Sequence, residues 1–290
     1  VALALFIILS FTYFSPILTG KVLIGHDTFG WFGMSKESAD YNDTHDDVAL
    51  WTNSMFGGMP TYQINLSQPY NGLNVIEWVL KVFPRPVYFL FLYLIGFYLL
   101  LIMLRVNPWL SMAGAIAFAF GSYNLIIIAA GHNTKAIAIA YMAPLIGSIL
   151  FAFRGKRSIG VLLTALFLGL AIKANHVQIL YYTLFIVLIF GLSELLFAIK
   201  EKKLAPFFKT LGLLIVSAAI AIGINATNLL TTYEYSKYTM RGESNQLTID
   251  SQSSQHGLNI EYITQWSYGV GETMTLLIPN FRGGASQSTL

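Results

Sequence analysis

No charged side chain interrupts the chain from Val87 to Leu104, and this is one of seven long apolar runs. Crossing about 30 Å of hydrocarbon takes roughly 20 helical residues. The runs near 1–19, 87–104, 109–130, 136–153, 158–172, 177–199 and 207–230 meet that need. They are too long and too uniform for the alternating strands of a barrel. Charged residues make up 11% of the 290-residue chain, against about 25% in a soluble domain. The expectation is an all-α polytopic membrane protein of about seven transmembrane helices. The fifth run is short and the fourth contains Pro144, which predicts tilting, kinking or re-entry there.

Orientation follows from the connections. Arg105, the cluster Arg154, Lys156 and Arg157, and the cluster Lys200, Lys202 and Lys203 occupy alternate links. Positive residues collect on the cytoplasmic side. The N-terminus is then cytoplasmic. The loop 20–86, the links 131–135 and 173–176 and the segment 231–290 lie outside. The chain opens inside an apolar run and stops just after a polar stretch, so truncation at both ends is expected. The module 1–230 carries the spans, and 231–290 is an outer-face segment.

The first outer loop holds Asp27, Asp40, Asp43, Asp46 and Asp47, and must sit in water. Aromatic and apolar residues recur at helical spacing over Val48–Phe56 and Leu73–Phe83. Short amphipathic helices on the membrane surface would account for that pattern. Asp43, Asp46 and Asp47 would precede the first of them and favour its positive end.

Asp27, in Gly25-His26-Asp27, falls just beyond the first span. A carboxylate beside lipid is partly desolvated, and becomes a stronger base for deprotonating an acceptor hydroxyl. The competing reading is a solvated acid that caps a turn. Lys135 and Lys173 stand in outer links that the positive-inside rule depletes, accompanied by His132, Asn133, Asn175, His176 and Gln178. Converging Lys and Asn donors suit a lipid phosphate. Lysines that snorkel to headgroups read the same way. In the tail, Trp266 could stack on a sugar, with Glu272 and Arg282 as polar contacts, although Gly-rich turns also explain that segment.

Without cysteine there are no disulfides, thiolate metal sites or thiol nucleophiles. Asp46 and Asp47 beside His45 make a poor metal set, because adjacent residues cannot easily converge on one ion. No metal ligands are assigned and no cofactor is required, a divalent metal being possible but unsupported. No phosphate-binding loop, dinucleotide fingerprint or serine elbow is present. Nothing points to nucleic acid, since the basic residues flank spans.

The strings Gly25-His26-Asp27 and Leu50-Trp51-Thr52-Asn53-Ser54-Met55-Phe56-Gly57-Gly58-Met59-Pro60 resemble the YfhO-like family of bacterial membrane proteins. So do Asn175-His176-Val177-Gln178 with Tyr181-Tyr182, and Thr264-Gln265-Trp266-Ser267-Tyr268-Gly269 with Glu272 to Gly284. The resemblance covers essentially the whole chain and looks most like the Bacteroidetes-type version. It implies the GT-C superfamily of multi-span glycosyltransferases, which take sugar from a polyprenyl-phosphate carrier on the outer face of the bacterial inner membrane. It implies Asp27 as the catalytic acid of the first outer loop and an inverting single displacement. The acceptor would be an envelope polymer or glycolipid. His26, His132, Asn133, Lys135, Lys173, His176, Gln178, Trp266, Glu272 and Arg282 become substrate-binding candidates by position. Many relatives carry a second acid in a later outer loop. Between the third and fourth spans this chain has His132 and Lys135 and no carboxylate, which puts a metal-assisted mechanism in doubt.

Two other classes stay open. A transporter or flippase would place polar residues near the membrane midplane, where Asn124 and Asn225 are the residues to follow. A non-catalytic scaffold for envelope assembly is the other.

Overall fold

The computed structural model describes residues 1–65, 68, 71–80, 82–239, 260–265, 267, 269–278 and 281–282. They are mostly helical. In chain order the helices are α1 (Ala2–Tyr13), α2 (His26–Thr44), α3 (Asn74–Leu80), α4 (Val87–Met103), α5 (Pro108–Ala119), α6 (Ser122–Ala130), α7 (Asn133–Phe153), α8 (Arg157–Lys173), α9 (Val177–Lys200), α10 (Leu204–Ile224), α11 (Ala226–Ser236) and α12 (Ile260–Thr264). A two-stranded antiparallel ribbon, β1 (Trp51–Thr52) with β2 (Met59–Pro60), lies between α2 and α3. The chain divides into two compact units: Val1–Gly33 with Gln68–Asn225, and Met34–Ser67 with Ala226–Leu290.

In the first unit α7, α9 and α10 are long and apolar enough to cross a membrane. The pair α5 and α6, bent by 49° at Phe120–Gly121, counts as a fourth if taken as one broken span. α1 and α4 are apolar but shorter. The expected run 1–19 stops being α-helical at Tyr13 and finishes as a 3-10 turn over Ser15–Thr19. Pro16 has no N–H to continue the ladder and clashes with the preceding turn.

Tilting, kinking or re-entry was expected around Pro144, and the residues on both sides of it belong to one helix, α7. Proline at 144 leaves the Ala140 carbonyl without its usual helical partner. That carbonyl lies where a Cβ on Gly96 of α4 would be, so α4 presses its bare backbone on the freed oxygen. Such close approach across small residues is how helices associate where hydrocarbon surrounds them. α4 itself is buried on every face from Val87 to Leu94, as a helix apolar all round should be.

Asn225, at the end of α10, is almost fully buried. Its amide donates to the carbonyls of Gly169 (3.0 Å) and Ala221 (2.9 Å), and its oxygen accepts from Asn71 Nδ2 (3.2 Å). Asn124 donates to the Phe118 carbonyl at 2.7 Å. Both asparagines serve helix ends.

Loop 20–86 departs most from expectation. Residues 26–44 form a 19-residue helix that apolar periodicity does not reveal; it is mostly polar and includes Gly30 and Gly33. Asp27 in its first turn and the Lys36–Asp40 pair four residues apart (2.7 Å) both favour it. Asp43, Asp46 and Asp47 fall at its C-terminal end, the reverse of the expected dipole arrangement. No surface helix forms over Val48–Phe56. Phe56, Gly57 and Gly58 take positive φ (52°, 75° and 126°) and close the β1–β2 turn, which a helix cannot contain. Within the second stretch, Leu73–Phe83, α3 is helical over Asn74–Leu80.

In the second unit, Glu37 of α2 organises this ribbon. Its carboxylate accepts from the Thr52 hydroxyl and from the amides of Asn53 and Ser54, both at 3.0 Å. Those bonds, led by Thr52, hold its pKa below the ordinary value. Gln63 donates to Thr232 of α11 (3.4 Å), and Tyr62 meets Tyr235 edge to face.

Candidate functional site

Asp27 stands in the first turn of α2, where the unpaired amides of a helix start favour negative charge. Its place depends on two glycines. Gly131 ends α6 with φ +85°, and its backbone lies directly against that of Gly25. The Thr28 hydroxyl donates to the Gly131 carbonyl (3.3 Å), and Asn133 Nδ2 donates to the Thr28 hydroxyl (3.0 Å). The start of α2 is thereby fastened to the α6–α7 turn, which carries His132.

The result is an acid–imidazole pair. His132 Nδ1 is 2.7 Å from Asp27 Oδ2, with both side chains about half exposed. An ionised carboxylate only accepts, so Nδ1 carries the hydrogen and Nε2 faces away from the acid. His26 Nδ1 is 3.6 Å from the other oxygen, Oδ1, on a largely exposed ring. The sequence placed Asp27 near the membrane surface; the structure adds an imidazole partner, His132.

Beyond this pair lies His176, the residue before α9. Thr134 Oγ1 is 3.5 Å from His176 Nδ1, and His176 Nε2 is buried without a hydrogen-bond partner among the described residues. Burial, then the charges of Lys135 and His132, push the His176 pKa below its usual value. The ring is therefore kept neutral. Lys135, in the first turn of α7, holds its ammonium 5.4 Å from the centre of the Tyr123 ring. Asp27, His132, Asn133, Lys135 and His176 thus belong to one end of the first unit.

Two candidates have other partners. Lys173 is largely buried, with Nζ 2.7 Å from Glu77 Oε2 of α3, so its ammonium already has a carboxylate partner. Gln178 is exposed and donates to Tyr182 (3.0 Å). Sequence reasoning missed Glu77. With Arg85, Tyr88 and Tyr141 it lines a cavity of about 120 Å³; a lone acid among the apolar residues of α3 was the available signal.

Glu272 and Arg282 belong to the second unit. Glu272 accepts from the Gly269 amide (2.8 Å), and the Arg282 guanidinium occupies the space beside Gly271. Both therefore shape a turn. Trp266 lies outside the described residues, as does Tyr268. Among the described residues no three His, Asp or Glu side chains converge on a point that would hold a metal ion.

No family model matches the chain, and neither a curated protein nor a solved structure matches it.

Proposed function

We propose that the chain is a membrane glycosyltransferase of the GT-C type, moving a sugar from a polyprenyl-phosphate donor to an envelope acceptor. In this reading seven segments cross the bacterial inner membrane, with the N-terminus cytoplasmic and the Asp27 end outside. The observation that carries it is the 2.7 Å pairing of Asp27 with His132. It joins the acid after the first apolar run to the link between the third and fourth. The resemblance of the Gly25-His26-Asp27 and Trp51 strings to YfhO-like proteins supports the same assignment.

In the reaction, Asp27 takes the proton of the acceptor hydroxyl, and that oxygen attacks the anomeric carbon from the side opposite the phosphate. The bond from anomeric carbon to phosphate oxygen breaks, and the lipid phosphate leaves with the electron pair. His132 holds the carboxylate in place. The Lys135 ammonium and His176 Nε2, which has no partner among the described residues, are suited to the charge growing on the leaving phosphate. Transport is less well supported, since Asn124 and Asn225 spend their donors on helix carbonyls.

The test is sugar transfer by purified protein from synthetic polyprenyl-phosphate hexoses. Asp27→Asn should remain folded in membranes while transfer falls by about 10²–10⁴, the usual contribution of a positioned base. Undiminished transfer would remove Asp27 from the role.

A further inference from the structure

The cavity beside Glu77 measures about 120 Å³ and is lined by Glu77, Leu80, Arg85, Tyr88, Ile137 and Tyr141. Tyr141, on α7, is 5% exposed, and its hydroxyl makes no hydrogen bond among the described residues. A buried hydroxyl without a partner is destabilising until something enters to complete it. Arg85 is exposed and reaches the hydroxyl of Tyr88, so the cavity opens on that side. Lys173 fixes Oε2 of Glu77 at 2.7 Å without lining the cavity. A carboxylate has about four lone-pair sites, so one lysine does not saturate it.

The wall thus combines a carboxylate, a guanidinium and two phenols with the aliphatic side chains of Leu80 and Ile137. Hydrocarbon in this space would leave the Tyr141 hydroxyl unpaired. An anion could pair with Arg85 but would face Glu77, which as a carboxylate only accepts. A ring bearing several hydroxyls suits every member at once. Its O–H groups donate to Glu77, its oxygens accept from Arg85 and Tyr141, and its C–H surface covers Leu80 and Ile137. Size agrees with a single ring. An engineered cavity of about 150 Å³ holds benzene, so a slightly smaller space open at Arg85 takes most of a six-membered ring.

Ile137 and Tyr141 follow Asn133 by four and eight residues, and so share its face of α7. Asn133 Nδ2 donates to the hydroxyl of Thr28, the residue after Asp27. At the helical rise, the α7 wall of the cavity lies about 6–12 Å along the helix from Asn133. One face of α7 therefore leads from the Asp27 end to the cavity.

We propose that the cavity is a subsite for one sugar ring, with Arg85 and Tyr141 as donors and Glu77 as acceptor. The class of ligand follows from the cavity alone. Its part in a transfer reaction rests on the glycosyltransferase reading.

Ligand-observed NMR tests it on the purified protein in nanodiscs, with no glycosidic detergent present. The probes are the methyl glycosides of glucose, galactose and mannose, and their monodeoxy derivatives. At least one glycoside should bind. Tyr141→Phe deletes only an oxygen that has no partner among the described residues. Its melting temperature should hold while the Kd rises about 2–10-fold, the weight of one neutral hydrogen bond. One monodeoxy derivative should bind the wild type equally weakly and lose nothing further in Tyr141→Phe. That non-additivity marks a direct contact, which a purely structural role for Tyr141 would not produce. Arg85→Gln, at an exposed position, should weaken the same glycoside. Failure of every glycoside to bind, or a Kd unmoved by either variant, overturns the subsite; so does inorganic phosphate that displaces every glycoside. Sugar transfer that persists in that event leaves the enzymatic reading standing. Glycoside binding that responds to Tyr141, in a protein inactive with every donor tried, keeps the subsite and removes the enzymatic reading.

Discussion

Gly25 and Gly131 meet backbone to backbone: a Cβ on Gly25 would lie 2.5 Å from both the Cα and the nitrogen of Gly131. No side chain fits there, and the contact brings the Asp27 carboxylate to the His132 ring.

Gly25→Ala should therefore force the start of α2 away from the α6–α7 turn. Overpacking of this kind costs about 1–3 kcal/mol. Thermal unfolding in detergent should show the loss, and transfer activity should fall further than stability alone explains. Gly30→Ala, with nothing within 4 Å of the added Cβ, is the matched control and should be neutral or slightly stabilising.

His132 acts through Asp27 in the proposed reaction, as a positioning residue. His132→Ala should lower kcat about 10–100-fold, the range for partners that orient a reactive group, with a smaller change in KM. Steady-state kinetics across pH 5–9 would read this, because a merely structural role would not alter the acid limb of the profile. A rise in KM alone would place His132 in substrate binding.

The Lys173–Glu77 pair is mostly shielded from water, so removing the ammonium takes a close counter-charge away from the Glu77 carboxylate. Lys173→Met should destabilise the protein by about 3 kcal/mol. Adding Glu77→Leu should recover much of the loss. Apparent melting temperatures of the wild type, the single variant and the double variant decide it. A full-strength KM defect in a stable Lys173→Met protein would return Lys173 to the phosphate site.

His176 makes stability depend on pH in a defined direction. Its folded pKa lies below the ordinary 6.5, so the unfolded chain binds more protons on the acid side. Stability then rises with pH there. The contribution of His176 is complete above 6.5 and is lost as pH falls through the folded pKa. His176→Gln should flatten the slope of melting temperature between pH 7.5 and 5; an unchanged slope would assign the dependence to other groups.

Several of these residues were legible in the sequence for the right reason. Asp27 stood out because it follows an apolar run, and His132, Lys135 and His176 because polar residues between such runs need an explanation. Their grouping was not legible, since the 2.7 Å contact joins residues far apart in the chain. The pairing of Lys173 with Glu77 was not legible either, because Glu77 arrives from α3, remote in the chain. Glu37 gave no signal at all: its role depends on amides brought to it by the β1–β2 turn.

Hydrophobic runs alone determined that this chain is helical and membrane-like, because a backbone in hydrocarbon must satisfy its hydrogen bonds within each segment. Helix breaks were a different matter. Proline chemistry freed the carbonyl of Ala140 in α7, and Gly96 of α4 meets it. The bend came at Phe120–Gly121. The polar residues of α2 could not be assigned by periodicity, since a helix with little apolar character carries no stripe to read. Tertiary packing decided the first of these, because Gly96, which meets the Ala140 carbonyl, comes from another helix. The Asp27–His132 pair belongs with it: the sequence supplied the acid and the imidazole, and the contact of Gly25 with Gly131 made them neighbours.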